Sequence, residues 1–203
     1  MKTRFHTLKI VIFALLAAAL FAAIFFLMAL DSFNIEKHSD YLYSITCKNY
    51  NYSTAEKIVQ SSPVSLATGA CSAVRSGDLM GRNFDWLYDD DTDFVVKVPS
   101  AEGRYSSIGI ASTTGIKNIT PDKVRFSIFY YFIPFYTVDG INEKGLCVSV
   151  NEVPSGDAGV TTGTNPGADR LCSVIACRYL LDYAGSVDEA VRLLSEKDIY
   201  KGF

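Results

Sequence analysis

The stretch Cys71–Trp86 reads CSAVRSGDLMGRNFDW, and the rest of the chain is organised around it. A strand-like run, Cys71–Arg75, is followed by the turn residues Ser-Gly-Asp and by a second run, Leu79–Trp86, so the pattern predicts a β-hairpin. Such a hairpin returns Arg82 and Asp85 to the neighbourhood of the cysteine. A cysteine beside a cation is a candidate nucleophile, because the positive charge favours the thiolate.

The base for such a nucleophile cannot be a downstream histidine. The chain has two histidines, His6 and His38, and both precede Cys71. One candidate is the α-amine of the cysteine itself, released by cleavage of the Ala70–Cys71 bond. An α-amine titrates near pH ~7.7–8.0, and a general base works best when its pKa lies near the operating pH. The sequence therefore favours an N-terminal-nucleophile mechanism.

Two motifs carry a resemblance to a known family. GRNFDW, on the strand after a cysteine, and DGINEKGLCVSVN, Asp139–Asn151, resemble the two signatures of the choloylglycine hydrolase family, over about residues 69 to 196. That family includes bile salt hydrolases and penicillin V acylases, and acid ceramidase and N-acylethanolamine amidase are more distant relatives. The resemblance implies an α+β fold, the N-terminal portion of an αββα sandwich. Family members continue beyond this length, so we expect the chain to be truncated at its C-terminus.

The resemblance also implies a role for each of four residues. Cys71 would be the nucleophile and, after processing, the first residue; Arg82 would lie against its sulfur. Asp85 would hold the α-amine, and the Asn151 amide would help to bind the developing oxyanion. From the residues alone, the alternatives stay open that Cys71 is a buried strand residue, that Arg82 and Asp85 form a structural ion pair, and that Asn151 forms a turn.

The implied function is that of an exported hydrolase of linear, non-peptide amide carbon–nitrogen bonds, working through a thioester acyl-enzyme. Bile salt conjugates, penicillin V, N-acylethanolamines and acylated signalling lactones all remain open as substrates. One alternative is an acyltransferase that uses the same cysteine. Another is an inactive, membrane-anchored remnant or binding module, which would keep the fold and leave the Ala70–Cys71 bond intact.

An apolar segment precedes this region. Residues 10–30 contain no polar side chain and would span about 32 Å as a helix, enough for a bilayer core. The basic flank 1–9 predicts a cytoplasmic N-terminus, so a signal anchor leaves the remainder outside the membrane and a cleaved signal peptide secretes it. A buried core helix is the third interpretation. We then expect a stalk or propeptide over 31–70 and an incomplete hydrolase domain over 71–203.

Composition limits the partners. The net charge of −3 argues against nucleic acid, whereas 49% hydrophobic residues suffice for a packed core. The five cysteines are an odd number, and Cys172 and Cys177 would lie about 140° apart on a helix, so we predict no disulfide framework. They include no CxxC pair and have no histidine beside them, so we predict no metal, and we expect no cofactor. The expected partners are a small N-acyl amide and, through residues 10–30, the membrane; self-association into a homo-oligomer is left open.

Local patterns predict the remaining elements. The dense aromatic run Phe126–Val138 predicts a core strand, with an acyl-pocket wall as the alternative. The other predicted elements are a helix Thr54–Gln60 with a capping box at Ser53, a hairpin of Val138–Ile141 with Leu146–Val150, a helix Arg170–Tyr183, and a helix from a Ser186 capping box to Glu196.

Overall fold

The computed structural model describes residues 11–21, 33–61, 70–85, 92–113, 128–151 and 165–200. The helices in these ranges are residues 11–21 (α1), α2 (Tyr52–Ser61), α3 (Ser173–Tyr183) and α4 (Val187–Ser195), with two short 3-10 helices, Ile128–Tyr131 and Ile133–Tyr136. The strands are β1 (Phe33–Lys37), β2 (Leu42–Cys47), β3 (Ala70–Ser76), β4 (Leu79–Asp85), β5 (Asp93–Val98), β6 (Ser107–Ser112), β7 (Thr137–Asn142), β8 (Cys147–Ser149), β9 (Arg170–Cys172) and β10 (Asp198–Tyr200).

The main sheet has six strands in the order β1-β2-β5-β6-β7-β8. Its neighbours are antiparallel except β2 and β5, which are parallel. Strands β9 and β10 form a parallel pair, and β3 with β4 forms an antiparallel hairpin. This mixture of sheets and packed helices confirms the predicted α+β class.

The segment before Cys71 belongs to the same packed body. Strand β2 pairs with β5 along five register positions, and its side chains Tyr43 and Ile45 are buried in the core against Phe94 and Val96. Strands β1 and β2 of this segment therefore lie in the main sheet, and the role of 31–70 as a stalk or propeptide stays a prediction. The pairing partner of β2, strand β5, lies far along the chain, so no local pattern could reveal the contact.

Helix α3 holds this N-terminal segment at both of its ends. Near the C-terminus of the helix, the Tyr50 and Tyr52 hydroxyls each donate to Asp182 Oδ2 at 2.5 Å. At the N-terminus of the helix, Glu56 Oε1 accepts from the backbone N–H of Cys172 at 2.7 Å. A carboxylate in this position satisfies a free helix N–H group and is favoured by the helix dipole.

The aromatic run does not form the strand that we predicted. Residues 128–136 form the two 3-10 helices, and strand β7 begins only at Thr137. The prediction of a core position was right, since Phe132, Ile133 and Phe135 are buried. Pro134 lies at the start of the second 3-10 helix, where its missing N–H leaves no hydrogen bond unmade.

Strands β6 and β7 approach each other closely where Gly109 faces Gly140. A Cβ on Gly140 would lie 2.7 Å from the Ile108 carbonyl oxygen and 2.8 Å from Leu181 Cδ1. Only glycine therefore fits, and α3 packs directly on the backbone of β7. This glycine is the second residue of the DGIN motif, so part of that motif serves helix packing.

Asn142, the last residue of β7, joins the hairpin turn to the end of α3. Its Nδ2 donates to the carbonyls of Leu181 and Ala184 at 3.1 and 2.7 Å, and its Oδ1 accepts from the N–H groups of Lys144 and Leu146, both at 3.1 Å. The side chain is buried, so these bonds satisfy polar groups that water cannot reach. The β7–β8 hairpin that they hold confirms the predicted one.

The helix predictions hold with changes at the ends. The predicted helix Arg170–Tyr183 begins at Ser173, because its first three residues form β9. Ser186 caps α4 as predicted, with its Oγ accepting from the Glu189 N–H at 3.2 Å. For α2 the cap is Asn51, whose Oδ1 accepts from the Thr54 N–H at 3.0 Å, and the helix starts before the predicted Ser53 cap.

The predicted membrane segment 10–30 falls only partly on described residues, of which 11–21 are helical and exposed. Within the ranges that the structure describes, no helix has both the length and the apolar character needed to cross a membrane.

Candidate active site

The β3–β4 hairpin brings Cys71 and Arg82 together, as the sequence predicted. In its register Cys71 pairs with Phe84 and Ala73 with Arg82, so these four side chains share one face of the hairpin. Cys71 and Arg82 are then diagonal neighbours. Arg82 Nη2 lies 3.9 Å from Cys71 Sγ and donates a hydrogen bond to it, and the cysteine is half-buried.

The guanidinium of Arg82 is held from several sides. Its Nη1 donates to Asp139 Oδ2 at 2.9 Å, and its Nη2 also donates to the carbonyl oxygen of Val150. Its Cζ lies 4.4 Å from the centre of the Phe84 ring, within the range of a cation–π contact. Only 6% of the Arg82 side chain is exposed, so water screens these contacts weakly.

Asp85 lies opposite Ala70 in the hairpin ladder, so its backbone is beside the residue that precedes Cys71. Its side chain lies outside the described part of the structure. The role of Asp85 as the anchor of a new α-amine therefore stays a prediction.

Asn151 is exposed and follows directly on Val150, whose carbonyl accepts from Arg82. The structure thus brings the backbone leading into Asn151 to the guanidinium that contacts Cys71. The role of the Asn151 amide as an oxyanion donor stays a prediction.

Two partners of Arg82 were missed by sequence reasoning, namely Asp139 and the Val150 carbonyl. Both lie in the second motif: Asp139 is its first residue, and Val150 is its last but one. The sequence did contain a signal for the contact with Asp139, since a carboxylate begins the second motif and an arginine lies in the first. Sequence alone did not pair Arg82 with Asp139, because the two lie 57 positions apart in the chain.

The cysteines differ sharply in environment. Burial raises the pKa of the Cys177 thiol to about 12, and it also raises the pKa of Cys47 and Cys172. These three thiols therefore stay protonated near neutral pH. Cys147 is exposed, whereas Cys71 is half-buried and accepts from a guanidinium.

Within the described ranges, no group of three or more His, Cys, Asp or Glu side chains is arranged to hold a metal ion.

A protein-family model described as acyl-coenzyme A:6-aminopenicillanic acid acyl-transferase matches residues 74–203. The match covers more than half of the chain, including Arg82, Asp85, Asp139 and Asn151, and it begins just after Cys71. The family match indicates an enzyme with acyl-transferase or amidase chemistry of the N-terminal-nucleophile type.

The chain belongs to this acyl-transferase family, which is part of the choloylglycine hydrolase group, and the resemblance seen in the two motifs is thereby confirmed. No curated protein and no solved structure matches the chain.

Proposed function

We propose that Cys71 is an N-terminal nucleophile that cleaves linear amide carbon–nitrogen bonds of small N-acyl compounds. The observation that carries this proposal is the hydrogen bond from Arg82 Nη2 to Cys71 Sγ, in a chain whose family performs acyl chemistry. A guanidinium beside the sulfur favours the thiolate, which is the reactive form of a cysteine.

The proposed reaction has two halves. The thiolate attacks the acyl carbonyl, the carbon–nitrogen bond breaks, and the amine leaves with a proton supplied by the α-ammonium of Cys71. Water then attacks the thioester, releasing the acid and restoring the thiol. In this scheme Asp85 orients the α-amine, and the Asn151 amide donates to the oxyanion of each tetrahedral intermediate.

We also propose that the fold is an αββα sandwich. One face of the main sheet packs against α3 and the buried aromatic segment. On the other face Ile108 and Ile141 lie opposite each other and are 46% and 43% exposed, which suits a second sheet packed there. Export through residues 10–30 is likewise proposed on the sequence alone.

Cleavage before Cys71 need not release the N-terminal piece. The contacts of β2 with β5 and of Tyr50 and Tyr52 with Asp182 are noncovalent and do not depend on the Ala70–Cys71 bond. We expect the two pieces to co-purify in high salt and to separate only in denaturant. Separation in salt alone would contradict this.

The test of the amidase proposal is release of the amine from an N-acyl amide such as penicillin V. We expect turnover by the wild type, none by Cys71→Ala, and wild-type turnover by Cys147→Ala, which removes an exposed thiol. A covalent acyl adduct should be detectable by mass on the peptide that begins with Cys71. Turnover by the Cys71→Ala variant would contradict the proposal.

The family name favours a second candidate, acyl transfer to an amine. Here the Cys71 thioester would form from an acyl-coenzyme A, with the coenzyme A thiol leaving, and 6-aminopenicillanic acid would attack the thioester in place of water. The two candidates are separated by product analysis with both acceptors present. An excess of the N-acyl product over free acid assigns transfer, and the reverse assigns hydrolysis.

A further inference from the structure

The contact between Arg82 and Asp139 links two separate sheets. Arg82 lies on β4 of the hairpin, and Asp139 lies on β7, in the interior of the six-stranded sheet. Their side chains meet at 2.9 Å, with 6% of Arg82 and 25% of Asp139 exposed. An ion pair this sheltered is screened much less than a surface pair.

The carboxylate is attached to a rigid part of the fold. Asp139 pairs with Ile110 of β6 on one side and with Ser149 of β8 on the other, and the next residue is Gly140, on which α3 packs. A carboxylate on such a backbone can fix a long, flexible arginine side chain. Arginine otherwise has many rotamers, and ordering it carries an entropic cost.

The same guanidinium uses two nitrogens to contact three neighbours. Nη1 is directed to Asp139, while Nη2 is shared between the Val150 carbonyl and the Cys71 sulfur. Because the group is planar, fixing Nη1 also fixes the position of Nη2. We propose that Asp139 is a positioning residue, whose carboxylate holds the Arg82 guanidinium against Cys71; this rests on the proposed role of Cys71.

The negative charge of Asp139, considered alone, predicts the opposite effect on the reactivity of Cys71. A carboxylate near a thiol disfavours the thiolate, so removing Asp139 should make Cys71 more reactive if only its charge mattered. If Asp139 positions Arg82, removing it lets the guanidinium leave the sulfur, and Cys71 becomes less reactive. The sign of the change therefore separates the two effects.

The experiment measures the rate at which iodoacetamide alkylates Cys71 in the full chain at neutral pH, read by peptide mass. Because hydrogen bonds between charged groups are strong, we expect Asp139→Leu to slow alkylation by about tenfold to hundredfold. Asp139→Asn keeps an acceptor oxygen for Nη1 and should stay within about threefold of wild type, since a neutral hydrogen bond retains part of the interaction.

A double-mutant cycle decides whether the effect passes through the arginine. Arg82→Met should slow alkylation, and adding Asp139→Leu to it should change the rate no further. An equal slowing by Asp139→Leu with and without Arg82, or faster alkylation in both Asp139 variants, would overturn the proposal. Alkylation does not depend on turnover. If the wild type shows these alkylation rates but has no activity, the proposed enzyme function is refuted and the positioning role of Asp139 is not.

Discussion

Two arginine–carboxylate pairs in this protein have the same spacing but opposite surroundings. Arg178 and Asp182 lie four residues apart at 2.8 Å, and both side chains are fully buried. Arg192 and Glu196 also lie four residues apart, at 2.7 Å, but 58% and 55% of their side chains are exposed. The two pairs therefore allow burial to be tested with the geometry held nearly constant.

Removing one charge from each pair should have very different costs. Asp182→Asn leaves the Arg178 guanidinium buried without its counter-ion, which costs about 3–5 kcal/mol of unfolding free energy. The Tyr50 and Tyr52 hydroxyls, which both donate to Asp182, would also face a weaker acceptor. The matched control Glu196→Gln should cost about 0–1 kcal/mol, because water replaces the lost partner.

Both losses of unfolding free energy can be measured by urea unfolding, with circular dichroism as the signal. With a slope of about 2 kcal/mol per M, Asp182→Asn should lower the midpoint by about 1.5–2.5 M and Glu196→Gln by under about 0.5 M. The double change Arg178→Met with Asp182→Leu should cost less than Asp182→Asn, because no buried charge is left unpaired. Equal midpoint shifts for the two single variants would refute the burial argument.

Three further predictions concern single side chains. Asn142→Ala leaves buried backbone groups without partners and should lower the unfolding free energy by about 2–4 kcal/mol in the same urea assay, whereas Asn34→Ala on exposed β1 should be nearly neutral. The Cys177 pKa is raised from 9.0 to about 12, so its contribution to stability is full below pH 9 and is lost as pH rises toward 12. Replacing Cys177 with Ala should reduce the alkaline loss of stability by about 1.4 kcal/mol per pH unit in this window, measured by urea midpoints at stepped pH. Asn151→Ala should lower kcat by about 10²–10³ if its amide binds the oxyanion, and an unchanged kcat would remove it from the site.

The parts predicted well from sequence are those encoded locally. The β3–β4 hairpin follows from Ser-Gly-Asp between two strand-like runs, with Gly77 at a φ of 58° in the turn. The β7–β8 hairpin follows from the NEKG turn, where Gly145 has a φ of 82°. The nearness of Cys71 and Arg82 is a consequence of the first hairpin alone, so it needed no long-range information.

The parts that were missed depend on contacts between distant segments. Strand β2 lies in a stretch of mixed polar sequence, and its parallel pairing with the distant β5 places it inside the main sheet. The run 128–136 is rich in strand-forming residues, yet packing against α3 and the sheet core selects 3-10 turns. Asp139 is likewise a partner of Arg82 only because the hairpin meets the main sheet there.

The central claim is that Cys71 becomes an N-terminal nucleophile, and the intact mass and N-terminal residue of the expressed protein test it most directly. We predict a polypeptide that begins at Cys71 in the wild type, and an uncut chain in Cys71→Ala. An uncut chain in both proteins, with no polypeptide beginning at Cys71, would contradict the account.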